Sequence, residues 1–392
     1  MKRFILFSIL MISLFHSQIS VAQENGMNKR FRIAVFTPLY LDSAFDATEE
    51  YRYGKDFPKF INPGLEFYEG IEMAADTLSK MGYPFDIEVM DTHSPAGSVA
   101  ANIASPVFED FDMVIGHVNG TEARQLANAA SMHKIPFINV NYPNDAGVTN
   151  NPFYVILNST LNTQLQALYK LLQRNFALAD LVYIRTKSSS DERLLTAFKS
   201  IEKNTTGVPV KFRYLTLDPS RMEQDLVKNL DSNRNNVFVV GSLDVNFSNR
   251  LVETINELGE SYHTTLLGMP TWDNIKLEKT YHDNLEVVYG TPFYLNKEDS
   301  LYNRIHEEFS DRFYSRPSDM VYRGYETLLH FGQLLQLHGS NIASAINEKK
   351  FRVFTDFDIQ PVLDSKTMTL NYFENRKIYF IRRTGTEFKG IY

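Results

Sequence analysis

The stretch DMVIGHVNGTEARQLANAASMHKIPFINVNYPN, residues 112–144, carries the pattern on which the fold turns. Residues 112–115 form a short apolar run, 116–120 supply turn residues, and Thr121 opens a helical pattern that reaches about His133. Residues 135–140 read as a second buried strand, with Pro136 near its start, where proline is tolerated. Two parallel strands need such a crossover, and sterics make it right-handed. The turn at 116–121 and the loop at 141–144 therefore emerge together at the carboxyl ends of their strands, where open α/β sheets bind ligands. The first amides of the helix lack partners inside it and carry partial positive charge, so they suit a ligand carboxylate. The alternative is that Thr121, with Glu122 beside it, simply caps the helix.

The same alternation extends in both directions. Upstream lie a strand at 31–37, a loop rich in aromatics (Tyr40, Phe45, Tyr51, Tyr53, Phe57, Phe60), a helix at 64–81 and a strand at 85–90. The loop reads either as a flap over the sheet edge or as a ligand contact. Asp91 and His93 follow the strand at 85–90, as an Asx turn or as a weak metal pair. Downstream, a strand at 153–157 and a helix at 160–175 lead into a second series, with strands at 180–184, 208–214, 236–240 and 264–267. That rhythm implies a second parallel sheet. A strand at 285–289 and helices at 299–314 and 318–337 come next, and the tail reads as a hairpin of 367–373 and 377–382 turning at Glu374-Asn375.

At 392 residues the chain exceeds one hydrophobic core, so two lobes are expected. Residues 1–22 have the basic start, apolar centre and small-residue end of a cleaved signal peptide, which predicts a periplasmic or secreted protein. Losing Lys2 and Arg3 takes the formal charge from −7 to −9. An acidic balance of that size argues against nucleic acid as a partner. The chain has no cysteine, hence no disulfide framework and no lipidated cysteine at the cleavage site. No apolar run after residue 22 approaches a membrane span.

The signal segment, the two α/β lobes and the late return of the chain together resemble type I periplasmic solute-binding proteins of the leucine/isoleucine/valine-binding kind. The likeness is carried by IAVFTPLYLD (33–42), LEFYEGIEMAADTL (65–78), IGHVNGTEARQLANAASMHKIPFIN (115–139), VFVVGS (237–242) and VYRGYETLLHFGQLL (321–335). The first two are similar to a secreted branch assigned to amino-acid transport. The resemblance implies two Rossmann-like lobes joined by a three-crossing hinge, lobe 1 being 28–157 plus 288–337 and lobe 2 being 158–287 plus 338–392.

It also implies a ligand site between the lobes. The family's binding serine falls on Gly120, with Asn119 and Thr121 beside it, and the groups after the next strand fall on Asn141 and Tyr142. In the second lobe the corresponding loops carry Ser188, Ser242, Asp244 and Asn246, without the usual tyrosine-glycine pair. Tyr322 lies where the family lines the first-lobe pocket. Tyr40 and Trp272, the only tryptophan, complete the candidate set, with lobe packing as the alternative for Trp272.

The function expected is capture of a small polar solute, amino acid-like or peptide-like, for an ABC-type membrane transporter. The alternative is an interaction or regulatory module of the cell envelope that kept the fold with an altered ligand site. The sequence holds no GxSxG, HExxH or Walker motif and no cysteine nucleophile, so neither an enzyme nor a cofactor or metal is expected.

Overall fold

A computed structural model describes residues 30–94, 97–275, 282–385 and 387–391; the expected signal segment lies outside the described residues. Among the described residues, fourteen strands fall into two seven-stranded sheets. The first contains β1 (Phe31–Thr37), β2 (Phe85–Asp91), β3 (Met113–Gly116), β4 (Phe137–Asn139), β5 (Tyr154–Ile156), β11 (Ile359–Leu363) and β12 (Leu370–Asn375), in the order β11-β12-β5-β4-β3-β1-β2. The second contains β6 (Leu181–Arg185), β7 (Phe212–Thr216), β8 (Asn236–Val240), β9 (Thr264–Gly268), β10 (Leu285–Thr291), β13 (Tyr379–Thr384) and β14 (Glu387–Ile391), in the order β14-β13-β10-β9-β8-β6-β7. Pairing is parallel except for β11 on β12, β13 on β10 and β14 on β13.

Helices cover both faces of each sheet, which explains why the strands read as continuous apolar runs rather than as alternating ones. Ile33 and Val35 enter one core while Ala34 and Phe36 enter another on the opposite face of β1. In β6, Val182 and Ile184 likewise face away from Leu181 and Tyr183. The principal helices are α1 (Asn62–Lys80), α2 (Gly120–His133), α3 (Leu161–Asn175), α4 (Ser189–Asn204), α5 (Val245–Glu257), α6 (Ser300–Phe313) and α7 (Asp319–His338).

The tail departs from the expected lobe assignment. Residues 359–375 pair within the first sheet, β12 lying parallel to β5, and only β13 and β14 join the second. Strand β10, whose last residues were expected in the first lobe, belongs wholly to the second sheet. Glu374-Asn375 is therefore not a hairpin turn but the end of β12, and the chain crosses between the lobes at 376–378. The Asn375 side chain is fully buried, accepting from the Asp358 and Lys377 amides and donating to the Leu157 carbonyl. Alternating side chains reveal a strand but not which sheet receives it. The other crossings lie just after β5 and β10, and Ser159 and Thr160 on the first bond to the Asn375 carbonyl and the Glu374 carboxylate.

Helices α1 and α7 touch backbone to backbone. A Cβ at Gly70 would stand 2.0 Å from the Val321 carbonyl oxygen, and one at Gly324 would stand 2.2 Å from that of Phe67. Neither neighbour is a side chain that can swing away, so Gly324→Ala must separate the helices. Overpacking of this kind costs about 1–3 kcal/mol. Urea unfolding of that variant should show a midpoint lowered accordingly, and a wild-type midpoint would contradict the contact.

Candidate functional site

In the first lobe, Asn119, Gly120, Thr121, Asn141 and Tyr142 do come together at the carboxyl ends of β3 and β4. The helix tip, however, is capped by Asn119 rather than by Thr121. The Asn119 side chain accepts from the Thr121 and Glu122 amides at 2.9 and 3.1 Å, and Glu122 returns a carboxylate to the Asn119 amide at 2.8 Å. This capping box uses amides expected to be open to a ligand. Asn141 is engaged from below by the Val118 amide, and a Cβ on Gly120 would strike the Tyr142 ring at 2.6 Å, so that ring lies on the tip. The Thr121 side chain remains exposed.

Tyr40 stands in the left-handed region at φ 56°, held by its amide to Asp91, with its ring 4.1 Å from that of His93. Asp91 gathers the amides of Leu39, Tyr40, Leu41 and His93. It serves as the turn-former that ties down the aromatic loop.

The second-lobe candidates are likewise occupied by their own backbone. Ser188 caps α4, and Asp244 caps α5 through the amides of Asn246 and Phe247. Ser242 is fully buried and donates to Asp191 at 3.0 Å. Asn246 is exposed on the first turn of α5. Trp272 is 0% exposed, its indole N–H donating to Ser248 at 3.1 Å, so it is the packing anchor and offers no face to a ligand. Tyr322 is also core, stacked on Tyr302 at 4.7 Å. Among the described residues, no hydrogen bond joins the first-lobe candidates to the second-lobe ones.

A cavity of about 810 Å³ does open between the lobes, beside the hinge, and none of the predicted residues lines it. Asp273, Tyr289 and Thr291 wall it from the second lobe, and Phe293, Asp319, Arg323 and Glu326 from the first. Its volume is typical of small-molecule sites. The Arg323 guanidinium lies 4.1 Å from the Phe293 ring centroid and reaches Asp273 across the gap at 3.8 Å, while its Nε is buried without a partner. Asp273 keeps 37% side-chain exposure, yet protein from both lobes crowds it and raises its pKa. A signal for these residues existed: Asp319, Arg323 and Glu326 recur at i, i+4 and i+7, a polar stripe on an otherwise apolar helix.

The family model described as periplasmic binding protein matches residues 62–358. The chain belongs to the periplasmic binding protein family. No curated protein matches it. Among solved structures, a branched-chain amino acid ABC transporter periplasmic ligand-binding protein from Burkholderia xenovorans is 12% identical, with a TM-score of 0.62 over 93% of this chain and 95% of that one. An ABC transporter substrate-binding protein from Desulfitobacterium hafniense, in complex with Leu, is 14% identical with a TM-score of 0.55, over 93% and 100% of the two chains. The leucine-binding protein LivK of Thermotoga maritima is 14% identical with a TM-score of 0.52, over 92% and 98%. At these identities the likeness is one of fold. The family is one of binding proteins, not enzymes.

In this periplasmic binding protein, Glu326 is the most deeply buried charge of the cavity wall, 1% exposed, and it accepts from the Thr355 amide and hydroxyl at 2.9 and 3.0 Å. Burial nonetheless raises its pKa to about 7, against roughly 4.3 in an unfolded chain. The folded state then holds the proton more tightly. Its contribution is complete below the unfolded pKa and is lost as pH rises through about 7. Burial, aided by Arg323, lowers buried His117 to about 4, and its opposite contribution fades as pH falls. That contribution is common to wild type and Glu326→Gln, so the difference between the two isolates Glu326. Relative to the variant, wild type should lose on the order of 1–3 kcal/mol between about pH 4 and pH 8 in urea titrations. Parallel stability curves would show that Glu326 keeps an ordinary pKa.

Proposed function

We propose that the protein captures a small polar solute, amino acid-like or peptide-like, in the cavity between its lobes and delivers it to an ABC-type membrane transporter outside the cytoplasm. The observation that carries this reading is the cavity itself: it is walled by both lobes and borders the crossings between them. A solute that touches both walls favours the closed arrangement by its differential affinity, which is a state a partner can read. The Leu complex of the Desulfitobacterium hafniense protein and the leucine-binding name of the Thermotoga maritima one support an amino acid-like solute. No helix among the described residues is long and apolar enough to cross a membrane, in keeping with a separate transporter partner. The exposed Thr121 hydroxyl, with Asn119, Tyr142, Ser188, Asp244 and Asn246, would form the outer rim, while Arg323 and Asp273 meet the solute directly.

Thermal unfolding against amino acids, short peptides and amines tests the reading. A true ligand at a hundred times its Kd should stabilise the fold by about 2.7 kcal/mol, and Arg323→Ala should reduce that gain. A panel that leaves the wild-type melting temperature unmoved at millimolar concentration would remove the receptor function.

A further inference from the structure

We infer that the inter-lobe cavity selects solutes of net positive charge, with an ammonium group seated between Asp273 of the second lobe and Asp319 of the first. The inference rests on the receptor reading above and adds the charge of the solute to it.

Three observations converge. Carboxylates outnumber cations among the lining residues five to three, so the cavity remains acidic even when Glu326 takes up a proton. Asp273 and Asp319 also act on one hydroxyl, that of Tyr289, and both disfavour its ionisation. Tyr289 lines the cavity at 7% exposure, and among the described residues its hydroxyl has no hydrogen-bond partner. A phenol oxygen and two carboxylates lining one cavity make an acceptor set, and an ammonium group, with donors only, is its complement. The phenol face adds the attraction of an aromatic ring for a cation.

The protein's own cations do not fill this role. Arg323 approaches Asp273 only to 3.8 Å, beyond hydrogen-bond length, and is held over the Phe293 ring. Asp319 forms no ion pair among the described residues. An anionic solute would find one guanidinium already facing Asp273 and surrounded by acids. A cationic solute meets two carboxylates, one from each lobe, so neutralising them joins the lobes across the gap. Basic amino acids and short polyamines have this chemistry and fit the volume.

The test uses the mature chain and isothermal titration with lysine, putrescine, leucine and glutamate at pH 7.5. Lysine or putrescine should bind at least tenfold more tightly than leucine or glutamate, and more weakly as salt is added. Asp319→Asn, an exposed position that should leave the unliganded melting temperature unchanged, should weaken amine binding about tenfold, and Asp273→Asn should do the same. Leucine or glutamate binding as tightly as the amines, or amine binding indifferent to both substitutions, would overturn the charge assignment and leave the receptor reading standing. Absence of heat and of any thermal shift with all four, and with the wider panel, would overturn both.

Discussion

The side chain of Asn375 is the knot of the molecule. Two sheets that are each covered on both faces cannot merge into one, so the chain must pass between them through narrow connections whose backbone groups lie out of water. Asn375 satisfies three such groups at once: amides of Asp358 and Lys377 and the carbonyl of Leu157. Ser159 and Thr160 complete the tie by bonding to the Asn375 carbonyl and the Glu374 carboxylate. Neighbouring crossings are thereby fastened to each other rather than left as independent tethers. The geometry of the gap between the lobes follows from where this fastening lies.

Much of the architecture was legible because buried parallel strands and amphipathic helices have different periods. The strand-turn-helix-strand unit around α2, and the second series from β6 to β9, could be read from apolar runs and glycine punctuation alone. The tail could not. Residues 370–384 alternate as strands should, but β12 and β13 enter different sheets, and the choice is made by contacts with β5 and β10 far away in sequence. Glu374-Asn375 has the composition of a turn, yet the same asparagine that favours a turn also serves as a buried connector.

The site was less legible, for a related reason. Serine, aspartate and asparagine at the carboxyl ends of strands are the residues that bind solutes, and they are also the residues that begin the following helix. Here Asn119, Ser188 and Asp244 act as caps, and what they could present to a visitor is what their own helices leave over. Trp272 and Tyr322 had apolar bodies suited to stacking, and packing claimed both. The cavity is lined instead by a stripe of charge on α7, Asp319, Arg323 and Glu326, that makes physical sense only once the helix is known to border a gap.

Trp272 has one more effect, through the residue that follows it. Its ring fills the space over Gly268, where even a Cβ would come within 1.9 Å, and its indole N–H is fixed on Ser248. The backbone that carries Asp273 is therefore riveted to the interior of its lobe. A carboxylate on such a mount surrenders little conformational freedom when a guest arrives, and little binding free energy is spent on ordering it. On the proposed reading, a side chain buried away from the cavity thus sets part of the affinity for a solute.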